Sequence, residues 1–227
     1  MAATNGTPAP AFSSIPDAIA AFAAGDFLLV LDAAHRENEG DLIIAASDLT
    51  PAKAAFMIRY TSGYLCAPLT SALAAKLALP QMVCDNEDKN RTAYTVTVDA
   101  AEGVTTGISA ADRSLTCRKL ASAGCVRGDF RRPGHVVPLQ AREGGVRVRA
   151  GHTEAAVEFC RLAGKELVGV IAELVAEGEV VAGSAETVGG EGMMRRDGCL
   201  EFGRRFGVRV VTIEDLVRYL EEGGEGV

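Results

Sequence analysis

The sequence has no tryptophan, and aromatic residues make up only 5% of its 227 residues. Proteins that bind single-stranded nucleic acid stack the bases on aromatic side chains. Acidic residues also outnumber basic ones, 30 to 23, which gives a formal net charge of −7. These features argue against a nucleic-acid-binding protein such as an RNA-binding module, and no nucleic-acid partner is expected.

Membrane, zinc-ribbon and export signals are absent as well. No apolar run reaches the roughly 18 residues that a membrane span needs, so no membrane partner is expected. None of the six cysteines forms a C-x-x-C pair, the spacing typical of zinc ribbons. No lysine or arginine precedes Arg36, which argues against a signal peptide or a transit peptide. We expect a cytoplasmic protein with reduced thiols.

The length and the apolar content, 48% of residues, predict one globular domain. Residues 1–13 are rich in Ala, Pro, Ser and Thr and are expected to be flexible. Residues 14–227 are expected to form a single domain. Helix and strand patterns alternate along it without a linker, which predicts an α+β (α/β-like) fold with a mixed β-sheet flanked by helices.

Helices are predicted where apolar residues recur every three or four positions after a capping residue, and strands where short apolar runs end at turns. The predicted helices begin at 14, 50, 71, 109, 153, 200 and 213. The predicted strands are 27–31, 42–45, 63–68, 93–99, 135–140, 146–149 and 208–211. The run 167–174 reads as helix or strand, and the glycine-rich stretch 178–192 is expected to be flexible.

A dense polar segment, Arg-Glu-Asn-Glu-Gly-Asp at 36–41, lies between two apolar strand patterns. The carboxylates of Glu37, Glu39 and Asp41 are two residues apart and would share one face of an extended backbone. Three like charges on one face repel, and a divalent cation that prefers oxygen ligands would relieve this repulsion. Spacing alone does not separate this interpretation from a solvated acidic loop.

Two of the three histidines follow similar Arg-x-Gly-His frames, ending at His135 and His152. Gly151 and Thr153 stand beside His152 at the predicted start of a helix. Free N–H groups at a helix N-terminus, with Arg149 just before them, form an anion site for which phosphate is the natural ligand. His152 would then hold a metal or move a proton. A threonine cap beside an incidental histidine is the alternative.

Three weaker candidates complete the set. The small-residue loop 103–109 carries Thr105 and Thr106, whose hydroxyl and N–H groups suit phosphate oxygens, although any capped loop has this pattern. Glu173 interrupts an apolar run, where a carboxylate is costly unless it is paired; it is a candidate base or simply the polar position of an amphipathic element. Cys66 is a candidate for oxidation if it is exposed, but buried apolar filler is the favoured interpretation.

Five segments occur in a specific order along the chain. They are RENEGD at 36–41, TAYTVTVDA at 92–100, GVTTGISAADR at 103–113, RPGHVVPL at 132–139 and RAGHTEAAVEFCRLAG at 149–164. Together they closely resemble the 3,4-dihydroxy-2-butanone 4-phosphate synthase family of riboflavin biosynthesis, over roughly residues 25–220. The length leaves no room for the GTP cyclohydrolase II domain of bifunctional relatives, so the stand-alone form is expected.

The resemblance implies a lyase that converts D-ribulose 5-phosphate to L-3,4-dihydroxy-2-butanone 4-phosphate and formate. The implied path is metal-stabilised enediolate formation, dehydration, skeletal rearrangement and excision of C4. Magnesium is the implied cofactor, with manganese as an alternative. The resemblance also implies a homodimer whose sites lie near the subunit interface, and it makes residues 14–227 the catalytic domain.

The resemblance assigns roles residue by residue. Glu37 and His152 would hold the metal. The implied catalytic residues are His135, Glu173, Asp41 and Glu39, whose order of action stays open. The implied substrate-binding residues are Arg36, Asp41, Thr92, Thr105, Thr106, Arg149, Gly151 and Thr153.

The chain departs from the family pattern in two places. The family usually has acidic residues just before RENEGD, whereas Ala33, Ala34 and His35 stand here, which thins the local negative charge. The stretch 178–192 is longer than the family's usual turn and is interpreted as an insertion. An isomerase that stops at the enediol, or a non-catalytic sugar-phosphate or nucleotide sensor, would use the same anchors, and formate release distinguishes them.

Overall fold

The computed structural model describes residues 12–224 and residue 226. Its helices are α1 (Ile15–Ala23), α2 (Pro51–Tyr60), α3 (Ser71–Lys76), α4 (Ala110–Leu120), α5 (His152–Leu162), α6 (Arg196–Phe206) and α7 (Ile213–Glu221). Its strands are β1 (Leu28–Leu31), β2 (Gly40–Ala45), β3 (Cys66–Leu69), β4 (Val98–Ala100), β5 (Phe130–Gln140), β6 (Gly169–Glu173), β7 (Glu179–Val180), β8 (Thr187–Val188) and β9 (Arg209–Thr212). The flexibility predicted for 1–13 concerns mainly residues 1–11, which lie outside the described residues.

Seven strands form one mixed sheet in the order β4-β5-β3-β6-β2-β1-β9, and β7 and β8 form a separate hairpin. Strand β1 runs parallel to β9, and β3 runs parallel to β5, while the other neighbours are antiparallel. Helices α1, α5 and α7 cover one face, and α2, α3, α4 and α6 cover the other. The predicted α+β class, a mixed sheet flanked by helices, is confirmed.

Side-chain alternation along the strands divides the core into two layers. Leu29 and Leu31 of β1 pack on the side of α2 and α6, whereas Leu28 and Val30 pack on the side of α1 and α5, as successive strand residues must. Because helices cover both faces, β1 and β2 are buried along their whole lengths. This is why both strands appear in the sequence as unbroken apolar runs.

Hydroxyl side chains fix the starts of five helices. Each accepts a hydrogen bond from the backbone N–H three residues later, which satisfies a donor that the helix itself leaves unpaired. These caps are Ser14, Thr50, Thr70, Ser109 and Thr212. The helix starts predicted after Ser14, Thr50 and Ser109 are therefore confirmed. No helix in the described ranges has the length and apolar character needed to cross a bilayer.

The strand predicted at 146–149 is wrong. Residues Gly145–Arg147 form a 3-10 turn, because Gly144 and Gly145 both adopt positive φ angles, 89° and 63°, and bend the chain sharply. The alternating apolar residues there reflect one buried valine, Val146, and one exposed valine, Val148.

The strand predicted at 93–99 is only partly correct, since its first half makes isolated bridges and regular pairing begins at Val98. Tyr94 bridges to Leu139, and Thr95 bridges to Gln81. The run 167–174, open between helix and strand, contains strand β6. The glycine-rich stretch 178–192 contains the β7-β8 hairpin.

Candidate active site

Two carboxylates face each other across the sheet. Asp41 of β2 stands directly opposite Glu173 of β6 in antiparallel register, where like charges repel. Asp41 is only 2% exposed. Burial, together with the negative charges of Glu173, Glu37 and Glu39, outweighs the attraction of His152 and raises the pKa of Asp41 to about 7. Near neutral pH this carboxyl can therefore both accept and release a proton.

A buried aspartate, Asp32, shapes the acidic loop between β1 and β2. Its carboxylate accepts hydrogen bonds from the backbone N–H groups of Glu37 and Glu39, and from Nη1 of Arg36, each at 2.9 Å. Asn38 adopts a left-handed conformation with φ 56°, which asparagine tolerates better than most residues. The extended backbone predicted for these carboxylates is therefore wrong at Glu37, which lies in a turn.

His152, the first residue of α5, lies between two of these carboxylates. Its Nδ1 is 3.6 Å from Oε2 of Glu37 and 3.4 Å from Oδ1 of Asp41. Its Nε2 lies 3.1 Å from the carbonyl oxygen of Val30. Because a carbonyl only accepts, Nε2 carries the proton in this bond and Nδ1 is turned toward the carboxylates.

The charges of this group depend on one another. Burial alone would lower the pKa of His152, but the carboxylates of Asp41, Glu37 and Asp32 outweigh it and raise the pKa to about 9. The imidazole of His152, and then the guanidinium of Arg36, overcome burial and hold the pKa of Glu37 at about 2. Glu37 is therefore deprotonated at any ordinary pH, as a metal ligand must be, whereas His152 would have to release a proton before it binds a metal.

Glu37 and His152 fit a divalent cation. Two ligand atoms that share one Mg²⁺, each at about 2.1 Å, stand about 3 Å apart, close to the 3.6 Å observed. Oδ1 of Asp41 is buried and has no hydrogen-bond partner among the residues described. Among the described residues, no three His, Cys, Asp or Glu side chains lie close enough together to hold a metal ion by themselves. Magnesium usually takes one or two protein ligands and keeps water or substrate oxygens on the others, so this incomplete set suits it.

Two guanidinium groups lie at the N-terminus of α5. A Cβ at Gly151 would clash with Nη1 of Arg149 and would lie 3.0 Å from Nη2 of Arg36, so glycine makes room for both arginines. Arg149 also donates to Oγ1 of Thr92 at 3.0 Å and to the buried carboxylate of Glu154 at 2.6 Å. Positive side chains beside the free N–H groups of a helix N-terminus favour an anion.

We expect Gly151→Ala to weaken the binding of a phosphate ester without unfolding the chain. The φ of −120° at this position suits alanine, so the added methyl group acts by displacing Arg149. A hydrogen bond to a charged group contributes about 1.5–3 kcal/mol, and losing one would raise the Kd about tenfold or more, measured by calorimetry. Gly128→Ala, where an added Cβ meets nothing within 4 Å, is the matched control. Equal Kd values in both variants would show that the phosphate ester does not bind at this end of the helix.

The cleft brings together most of the predicted site residues. Its lining consists of Arg36, Glu37, Glu39, Asp41, Cys66, Thr92, Tyr94, Leu139, Arg149, His152, Thr153, Ile171 and Glu173. Gly151 adjoins the lining through its contact with Arg149. Glu39 lies at the rim of this cleft, where its Oε1 is 3.9 Å from Nη1 of Arg195. Burial and the negative charge of Glu37 raise the pKa of Glu39.

Three predicted residues lie outside this cleft. His135 is held by Asp99, which accepts from the backbone N–H at 2.9 Å and contacts the ring Nδ1 at 2.7 Å. Thr105 donates through its backbone N–H and its hydroxyl to Asp112, and the loop with Thr106 packs against the Asp99–His135 pair at Gly107. We call Asp99, Thr105, Thr106, Asp112 and His135 the second cluster.

The sheet sets the distance between the two groups. Val137 pairs with Cys66, and Cys66 pairs with Ile171, so His135 and Glu173 each lie two residues further toward the same end of the sheet. One strand, β3, separates them, and neighbouring strands are about 4.8 Å apart. Strands β5 and β6 are therefore roughly 10 Å apart where Val137 and Ile171 flank Cys66.

Cys66 lines the cleft but is only 2% exposed. Burial, and then the charge of Glu173, raises the pKa of its thiol well above the ordinary value. The thiolate is the reactive form, so this environment disfavours oxidation, and oxidation of Cys66 stays an untested prediction.

Several residues that shape the site are not among the predicted site residues. Asp32 organises the acidic loop, Asp99 holds His135, and Asn90 donates to Oε1 of Glu37 at 2.6 Å. Asp32 directly follows a buried strand, a position where polar site residues gather, and this signal was available in the sequence. Asn90 lies in a charged loop 53 residues from Glu37, and only the fold brings them together.

The chain is similar to known proteins of a single family. Residues 16–219 match the family model described as 3,4-dihydroxy-2-butanone 4-phosphate synthase. The chain is 53% identical to a Pyricularia oryzae protein of that name, over 98% of this chain and 95% of the relative. It is 50% identical to the Schizosaccharomyces pombe protein of that name, over 92% and 98% of the two chains. In length it is therefore similar to these relatives.

A solved structure of a 3,4-dihydroxy-2-butanone 4-phosphate synthase in complex with two magnesium ions superposes with a TM-score of 0.90. That protein is 54% identical in sequence, and the match covers 93% of this chain and 98% of the other. On the family model, the relatives and the fold together, this chain is a lyase of the 3,4-dihydroxy-2-butanone 4-phosphate synthase family of riboflavin biosynthesis.

Proposed function

We propose that this chain converts D-ribulose 5-phosphate to L-3,4-dihydroxy-2-butanone 4-phosphate and formate. One observation carries the proposal: a single cleft joins the Glu37–His152 donor pair, the opposed carboxyls of Asp41 and Glu173, and arginines at a helix N-terminus. A phosphorylated ketose needs these three features together. It needs an anchor for the phosphate, a cation near the carbonyl and groups that move protons.

The phosphate would lie at the N-terminus of α5. Arg36, Arg149 and the N–H groups after Gly151 supply positive potential there, and the hydroxyls of Thr92 and Thr153 supply further hydrogen bonds. Bonds change at C1 to C5, while the phosphate and its ester bond to C5 stay intact. Binding energy from such a remote group is converted into orientation of the reacting carbons.

Glu37 and His152 would hold Mg²⁺, with Mn²⁺ as an alternative. When bound, a divalent ion stabilises negative charge that develops on substrate oxygens. The solved relative that contains two magnesium ions supports the same cation for this chain. Arg36 also contacts Oε2 of Glu37, at 2.5 Å, so the guanidinium shares this oxygen with any ion that binds there.

Carboxyl groups of the cleft would carry the protons. Asp41, with its pKa near 7, suits both removal and return of a proton. Glu173 stands directly opposite Asp41, and Glu39 lies at the rim. We assign these three carboxyls and His135 to proton transfer at C3, C1 and C4 of the substrate.

The reaction balances with these transfers alone. Loss of the C3 proton gives an enediolate, and loss of the C1 hydroxyl as water followed by ketonisation gives a 2,3-diketone. C5 then moves from C4 to C3, which leaves C4 as an aldehyde. Water adds to C4, the C3–C4 bond breaks, and formate leaves as C3 takes up a proton. One water is released and one is consumed.

We also propose that residues 14–227 act as one catalytic domain within a cytoplasmic homodimer. The position of the second cluster supports a second copy, because His135, Thr105 and Thr106 are not among the residues that line the cleft of their own chain, and a partner chain can bring them to it. Sedimentation at twice the monomer mass is expected. A fully active monomer would contradict this arrangement.

The direct test is turnover of D-ribulose 5-phosphate with Mg²⁺. Formate and a four-carbon phosphate, identified by mass, are expected in equal amounts, and EDTA should abolish both until Mg²⁺ is restored. A pentose phosphate without formate would indicate an isomerase instead. Binding without turnover would indicate a sensor, and either outcome overturns the proposal.

A further inference from the structure

We propose that Ser62 is a positioning residue that aims the carboxylate of Glu173 into the cleft, an inference that rests on the proposed function. Ser62 lies in the turn between α2 and β3. Its Oγ donates to Oε2 of Glu173 at 2.9 Å, and its backbone N–H donates to the carbonyl of Glu173 at 2.8 Å. One residue of the turn therefore holds both the side chain and the backbone of Glu173.

The direction of the serine hydroxyl is fixed. The backbone N–H of Tyr64 donates to Oγ of Ser62 at 3.2 Å. A hydroxyl has a single hydrogen, and with Oγ already accepting from Tyr64, that hydrogen serves Glu173. Within the described ranges this carboxylate makes no other hydrogen bond or ion pair. The bond therefore selects one orientation, with Oε2 held and Oε1 left for the substrate.

Hydrogen bonds that do not involve the hydroxyl of Ser62 stabilise the turn between α2 and β3. Oγ1 of Thr61 donates to the carbonyl of Met57 at 2.6 Å and accepts from the N–H of Gly63 at 3.1 Å. Arg113 of α4, only 7% exposed, donates to the carbonyl of Gly63 at 2.7 Å. Removing the Ser62 hydroxyl should therefore leave the turn in place, while it frees the side chain of Glu173 and the exposed N–H of Tyr64.

The test compares three variants by the steady-state kinetics of formate release. Ser62→Ala should lower kcat about tenfold or more while KM for ribulose 5-phosphate stays within about twofold, because a positioned acid or base contributes about 10²–10⁴ to the rate. Ser62→Thr keeps Oγ and should recover most of kcat. Thr61→Val removes bonds of the turn that do not touch Glu173, so it should lower Tm and leave kcat within about twofold.

A double variant separates action through Glu173 from an effect on the turn as a whole. If Ser62 acts through Glu173, Ser62→Ala should cause no further loss in a Glu173→Gln background. Wild-type kcat in Ser62→Ala, no recovery in Ser62→Thr, an equal loss in Thr61→Val, or additive losses in the double variant would each overturn the assignment. Failure of the proposed function is a separate outcome, since the wild-type protein would then release no formate.

Discussion

Glu37→Gln should abolish formate release at every magnesium concentration. The amide cannot supply the negative oxygen that Glu37 presents beside Nδ1 of His152, and a divalent ion contributes several kcal/mol to transition-state stabilisation. A fall in kcat/KM of about a thousandfold or more is expected. Calorimetry should show a matching loss of Mg²⁺ affinity, which a change confined to substrate binding would not produce.

Glu201→Gln is the matched control for this charge change. The side chain of Glu201 is 67% exposed and pairs with Arg204 on the surface of α6. The Glu201→Gln variant should keep the activity and the Mg²⁺ affinity of the wild-type protein. Full activity of Glu37→Gln, or an unchanged Mg²⁺ affinity, would show that Glu37 is not a ligand.

Arg149→Ala should have the second large effect, on both substrate binding and stability. Arg149 pairs with Glu154, whose side chain is 1% exposed, and removing one partner of a buried pair costs about 3–5 kcal/mol. Loss of the guanidinium should also raise the Kd for ribulose 5-phosphate at least about tenfold. Denaturant unfolding and calorimetry measure the two losses independently.

A double variant separates these two losses. In Arg149→Met with Glu154→Gln, no charge is left unpaired in the core, and Oε1 of the new amide can still accept from the N–H of Arg142, as Glu154 does at 3.0 Å. The free energy of unfolding should return most of the way to wild type, while substrate binding stays weak. Recovery of binding together with stability would mean that Arg149 supports the fold and does not hold the phosphate.

Much of the fold follows from local signals. The capping hydroxyls of Ser14, Thr50 and Ser109 allow the starts of three helices to be predicted from this sequence alone. The apolar runs at 27–31 and 42–45 become β1 and β2 because both faces of the sheet are covered. Alternating valines predict a strand at 146–149, but the structure has a turn at Gly145–Arg147, because Gly144 and Gly145 adopt positive φ angles.

For the site, local motifs predict which residues take part, whereas the distances between them depend on the tertiary fold. The motifs around Glu37 and His152 indicate their chemistry, but the 3.6 Å between them depends on how α5 meets the β1–β2 loop. The opposition of Asp41 and Glu173 depends on the register of two strands whose paired residues are 132 positions apart in the sequence, which no motif encodes. The separation of His135 from the cleft likewise depends on the strand order β5-β3-β6.

Supporting residues are the least visible in the sequence. Asp32 and Asn90 act through hydrogen bonds to residues of the RENEGD motif, and Ser62 acts through a hydrogen bond to Glu173. Their residue types are common in loops, so composition does not mark them. They are identified only in the structure, as the hydrogen-bond partners of the site carboxylates and of the acidic loop.

The central claim is that this cleft removes C4 of a phosphorylated ketose as formate. The most direct measurement is ¹³C NMR of the products formed from D-ribulose 5-phosphate labelled with ¹³C at C4 only. All of the label should appear in formate and none in the four-carbon phosphate. Label retained in a phosphorylated product, or formate that carries no label, would contradict it.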